Sequence, residues 1–86
     1  KEVLEGDMMT LNELPVGGSG IISAVGGKGA LRRRLLDMGL TPGTRVQVVK
    51  FAPMGDPVEL ELRGYSLTLR LDDAKEIALK GTDTDA

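Results

Sequence analysis

Cysteine and histidine are both absent from the 86 residues, and several chemistries go with them. The chain has no thiolate nucleophile, disulfide framework, zinc-finger ligand set or histidine base. The missing cysteine carries no information about redox compartment. A strong charge of either sign is also lacking: 11 Lys and Arg against 13 Asp and Glu leave a net charge of −2. With an isoelectric point near 5.0, the chain does not suit a dedicated nucleic-acid binder, which usually presents a strongly basic surface. No apolar run nears the roughly 20 residues that cross a bilayer as a helix. The N-terminus lacks the basic, apolar and small-residue order of a secretory signal. The expectation is therefore a cytoplasmic chain without membrane insertion. Its length allows one small domain, whose thin core needs efficient packing or a partner.

What is present is most coherent between Gly26 and Val49. A Gly-rich loop, Gly26-Gly27-Lys28-Gly29, leads into a helix expected over Leu31 to Met38. Gly39 is placed to close that helix, because glycine takes the left-handed conformation at almost no steric cost. Leu40 then falls where a Schellman stop sets an apolar contact back onto Leu35. Thr41-Pro42-Gly43-Thr44 fits a type II turn, with Pro42 fixing φ at the second position and Gly43 supplying positive φ at the third. Arg45 to Phe51 follows as an alternating strand.

The remainder reads as short strands and turns. Thr10 to Leu14 resembles a capped turn with Thr10 as N-cap and Glu13 in capping-box position, and Pro15 bars its continuation. Gly18-Ser19-Gly20 opens a first strand, Ile21 to Val25. Val58, Leu60 and Leu62 alternate with Glu59 and Glu61; Tyr65, Leu67, Leu69 and Leu71 alternate with Ser66, Thr68 and Arg70. Arg63-Gly64 between them reads as a two-residue hairpin loop, which sets Leu62 opposite Tyr65 and makes one face wholly apolar. Asp72 to Glu76 reads as a single helical turn and Ile77 to Leu79 as a closing strand. About five strands with one short helix inserted after the first predict a mainly β chain, closed as a small barrel. The domain is placed at 9–80, with 1–8 and 81–86 as flexible termini.

On the helix, Leu31, Leu35 and Met38 share one stripe and Leu36 lies off it, while Arg33 and Asp37 share the opposite side at a spacing that permits a weak ion pair. Arg32 lies beside Leu35 and Leu36, with a stem suited to packing and a head suited to water. Arginines near a helix start sit at the already positive dipole end. Two readings of that face stand: a solvated basic surface, or an electropositive patch of Lys28, loop amides, Arg32 and Arg33 aimed at an acidic partner or an anion. Phosphate and dinucleotide motifs fail, because a P-loop ending in Gly27-Lys28 would need glycine at Ile22, and Arg32 occupies the third position of a glycine fingerprint. Asp72, Asp73 and Glu76 could offer oxygens to a hard cation but read better as a capped surface turn. Ser19, Ser23 and Ser66 have no candidate base, so no catalytic residue is assigned.

Leu11 to Leu14, Gly17-Gly18-Ser19-Gly20 and Leu35-Leu36-Asp37-Met38-Gly39-Leu40-Thr41-Pro42-Gly43 together resemble the FeoA family, over roughly Met9 to Lys80. The family pattern is a helix ending L-x-x-[ML]-G-[LI]-x-P-G after a glycine-rich strand. The resemblance implies an SH3-like β-barrel with a helical insertion. It also implies a small cytoplasmic accessory protein of ferrous iron uptake, peripheral at the inner membrane through its partner. That partner would be an FeoB-type permease, which carries a cytoplasmic G-protein domain. Lys28, Arg32, Arg33, Arg34 and Asp37 are the candidate contacts; Leu31, Leu35, Leu36, Met38, Gly39, Leu40, Pro42 and Gly43 are expected to hold helix and turn in place. No cofactor and no metal ligand is expected, and weak self-association is allowed for. The same fold resembles the C-terminal domain of metal-dependent repressors, so an SH3-like metal- or peptide-sensing regulatory domain is the alternative.

Overall fold

Alternating apolar and polar side chains make strands the main regular element, and the computed structural model describes residues 9–83. The readings of 1–8 and 84–86 lie outside those residues. Six strands form among the described residues: β1 (Met9–Thr10), β2 (Ser19–Val25), β3 (Arg45–Phe51), β4 (Val58–Leu62), β5 (Tyr65–Leu69) and β6 (Ile77–Asp83). Helix α1 (Gly29–Asp37) lies between β2 and β3, and a four-residue helix α2 (Leu71–Ala74) lies between β5 and β6. The sheet order is β1-β6-β2-β3-β4-β5, with every pairing antiparallel.

Several sequence expectations change here. The short pair Met9–Thr10 is a strand, so there are six strands rather than five and α1 follows the second. Two residues carry no readable periodicity; β1 exists because β6 offers it a ladder, with Met9 opposite Leu79. Strand β6 runs on to Asp83, where it pairs with Ser19, so Gly81 to Asp83 belong to the sheet rather than to a tail. The sheet is barrel-like but not closed: β1 and β5 are its two edges among the described residues. Helix α2 packs against the 3-10 turn Leu11–Glu13 that follows β1. Leu71 opens α2 instead of ending β5.

The hairpin register is the one its loop dictates. Leu62 faces Tyr65, Leu60 faces Leu67 and Val58 faces Leu69, with Arg63 (φ 52) and Gly64 (φ 84) both left-handed, as a type I′ turn demands. The inner face is not wholly buried, however. Tyr65 is 43% exposed and Leu67 is half-buried, because β5 has no strand beyond it. Leu11, Leu14, Ile22, Leu35, Leu40, Leu60, Leu62, Ile77 and Leu79 form the core with the inward valines of β3 and β4. Leu35 is the helix residue driven fully into it.

Candidate docking surface on the inserted helix

Helix α1 is nine residues long, starts two residues earlier than its apolar stripe suggests, and has no acidic side chain in its first turn. Lys28 stands at the N-cap with extended backbone and makes no side-chain cap bond. So short a helix is not stable alone in water; its contacts hold it. Arg32 Nε donates to the Val25 carbonyl at 3.1 Å, which ties the first turn to the end of β2. Arg34 Nη2 pairs with Asp73 Oδ2 of α2 at 3.2 Å. Leu31 and Leu36 are half-buried against the core.

The far end is fixed more firmly. The Gly39 N–H donates to the Leu36 carbonyl (3.0 Å) and the Leu40 N–H to the Leu35 carbonyl (3.2 Å), the paired bonds of a Schellman stop. Met38 is the C-cap rather than the last helical residue, Gly39 has φ 99, and Leu40 is fully buried. The Thr44 N–H then donates to the Thr41 carbonyl at 3.1 Å, closing the turn in which Pro42 is exposed and Gly43 has φ 93. The turn is sewn to β2, since the Gly43 N–H donates to the Ile22 carbonyl (2.7 Å) and the Ile22 N–H to the Thr44 carbonyl (2.9 Å).

Two residues with no such role assigned from the sequence complete the arrangement. Arg63 Nη2, from the β4–β5 turn, donates to Thr44 Oγ1 at 2.8 Å and to Thr41 Oγ1 at 3.2 Å. Tyr65 Oη donates to the Met38 carbonyl at 2.6 Å, meeting one of the carbonyls that a helix end leaves without an intrahelical partner. A signal for Tyr65 existed: a lone tyrosine on an otherwise apolar strand face needs somewhere to put its hydroxyl. Arg63 gave none, because the threonines it holds lie 19 and 22 residues away.

The five candidate contacts therefore divide. Lys28, Arg33 and Asp37 are exposed and their side chains make no hydrogen bond or ion pair, so the Arg33–Asp37 pair does not form among the described residues. Arg32 and Arg34 are exposed but engaged, the first with Val25 and the second with Asp73. Asp72 pairs with Lys75 at 3.5 Å. No three carboxylates converge as a metal site among the described residues. A cleft of about 140 Å³ is lined by Lys50, Ala52, Pro57, Glu59 and Thr68 on β3 to β5, and by no residue of α1. No helix among the described residues is long and apolar enough to cross a membrane.

A six-stranded antiparallel sheet curled like a barrel, with a helix inserted between its second and third strands, is a small SH3-like domain. Comparison with known proteins places it further. Residues 9–80 match the FeoA domain model, and the chain belongs to the FeoA family, a family of ferrous iron transport. The Fe(2+) transport protein A/Fe(2+) transporter FeoB fusion protein of Porphyromonas gingivalis is 39% identical over 72 residues, which is 84% of this chain and 8% of that protein. The chain thus spans a small part of that relative's length. The FeoA-like protein of Clostridium acetobutylicum superposes with a TM-score of 0.79 at 35% identity, covering 93% of this chain and 90% of that one. Stenotrophomonas maltophilia FeoA complexed with zinc, described as a procaryotic SH3 domain protein, gives 0.77 at 28% identity over 91% of this chain and 99% of that one. A manganese-dependent transcriptional repressor shares the fold alone: TM-score 0.76 at 15% identity, over 84% of this chain and 35% of the repressor.

Proposed function

We propose that this chain is a non-enzymatic accessory module of bacterial ferrous iron uptake. It docks on the cytoplasmic G-protein domain of an FeoB-type permease and is held by it at the inner membrane. The observation that carries this reading is the relative in which an FeoA portion is joined to FeoB on one chain. Lys28 and Arg33 supply the free charges of the docking face, with Arg32, Arg34 and Asp37 at its margin. The buried Leu35 and the stop at Gly39 and Leu40 hold that face in place. An enzymatic role has little support, since the chain has neither histidine nor cysteine.

The test is a titration of the chain against the isolated G-domain, with and without GTP, using wild type and the K28E/R33E double variant. Arg34 is left alone, because a glutamate there would face Asp73. Reversing two free charges is expected to weaken binding by about tenfold or more through like-charge contact, without lowering the thermal midpoint. Equal binding by the double variant removes this face from the function. A second reading, a metal-sensing domain, is favoured by the zinc complex of the Stenotrophomonas relative. Calorimetry with ferrous and manganous ions separates the two, since docking through α1 requires no metal heat.

A further inference from the structure

Strand β5 has one side unused. The register with β4 turns the N–H and C=O groups of Tyr65, Leu67 and Leu69 toward β4, so those of Ser66 and Thr68 point away from the sheet. No strand lies beyond them among the described residues. Such an edge normally carries a charge, a proline or a bulge as protection. Here it presents Ser66 and Thr68, both uncharged and exposed, in a pairing without a register break. The other edge, β1, is two residues long and is protected by its shortness.

The side chains beside this edge say what would fit it. On the outer face Glu61 stands opposite Ser66 and Glu59 opposite Thr68. The Ser66 and Thr68 side chains are short, so neither carboxylate is screened from the edge. Among the described residues Glu61 is exposed and makes no ion pair, and Glu59 has only a long contact of 3.8 Å to Lys50. On the inner face Leu67 is half-buried, packed against the core on one side. We infer that β5 accepts, by strand addition, an extended partner segment that alternates basic and apolar residues. Its main chain would pair with Ser66 and Thr68, its Lys or Arg side chains would reach across those hydroxyls to Glu61 and Glu59, and its apolar side chains would cover Leu67. With strands about 4.8 Å apart, the carboxylates lie two spacings from the added strand, within reach of a long cationic side chain. A second copy of β5 would bring no cation of that spacing, which is why a basic segment is favoured over self-pairing. The inference does not depend on α1 being a docking face and is tested without the permease.

The probe is an acetylated Lys-Val-Lys-Val-Lys peptide added to the ¹⁵N-labelled chain at low salt, followed by amide chemical shifts. Saturable, salt-sensitive shifts centred on Ser66, Leu67 and Thr68 are expected. The E59Q/E61Q variant should weaken the peptide by about fivefold, the combined effect of two exposed ion pairs. T68P removes an outward donor and no internal ladder bond, and should abolish the shifts. E59Q/E61Q keeps the test decisive should T68P fail to fold. Shifts confined to α1, or shifts unchanged in E59Q/E61Q, would overturn the inference. So would β5 shifts that grow with protein concentration alone, which would give the edge to a second copy.

Discussion

At Gly39 two constraints meet on an atom the residue does not have. Its φ of 99 is left-handed, and a Cβ there would collide with the Tyr65 hydroxyl, which is in place to donate to the Met38 carbonyl. The backbone term costs a non-glycine residue roughly 1–2 kcal/mol, and losing the tyrosine bond costs about 1 kcal/mol. Gly39→Ala should therefore lower stability by about 2–3 kcal/mol, a fall of roughly 10–20 °C in the thermal midpoint of a domain this size. Tyr65→Phe alone should cost about 1 kcal/mol. The two are not additive: once Tyr65→Phe has removed the obstacle, Gly39→Ala costs only its backbone term. A double-mutant cycle by urea unfolding reads this directly, and strict additivity would show that the hydroxyl is not what excludes a side chain. The backbone half of this constraint was legible in Met38-Gly39-Leu40, since glycine after an apolar helix stripe is a local signal. The hydroxyl half was not, because Tyr65 lies 27 residues from Met38 and comes near it only once the hairpin is folded.

At the scale of the element, α1 is well ended and poorly begun. Its stop is built from neighbours in sequence, so the roles of Leu35, Gly39, Leu40, Pro42 and Gly43 follow from local spacing alone. Its start is different: Lys28 has N-cap geometry without a capping side chain, and Arg32 and Arg33 oppose the dipole. Periodicity therefore misplaces the start, and only the bond from Arg32 to Val25 and the ion pair from Arg34 to Asp73 show what replaces the missing signals. Neither partner is predictable from helix periodicity. A weak start leaves room for improvement. Lys28→Asp should stabilise the chain by about 1 kcal/mol, because an aspartate in the same extended backbone accepts from the first-turn amides and suits the dipole. If Lys28 touches the permease, the same change should weaken docking while it raises the midpoint. That opposition is what a functional residue at a structurally poor position produces. Arg34→Ala, by contrast, breaks a pair whose arginine is 61% exposed and should move stability by less than about 0.5 kcal/mol.

Across the whole molecule the sheet is held in the middle and open at its ends. β2 is flanked by β6 and β3, and β3 by β2 and β4, whereas β5 pairs on one side only. The strand alternation made the hairpin and β3 readable, but it could not say whether β1 and β5 meet, because closure depends on curvature and on bulges. The breaks in register in β2 opposite β6, and between Val48 and Lys50 in β3, are long-range features. Native-state hydrogen exchange should map this arrangement. Amides of Ile22, bonded to the Thr44 carbonyl at 2.9 Å, and of the inner strands should exchange only on global unfolding. Leu67 and Leu69, bonded to β4, should exchange at an intermediate rate through local opening. Ser66 and Thr68, whose N–H groups point outward, should exchange almost as fast as in an unfolded chain, so protection along β5 should alternate residue by residue. If Ser66 and Thr68 are as slow as Leu67 in the isolated chain, the edge is covered in solution. The molecule would then be a closed barrel or a paired assembly rather than an open sheet.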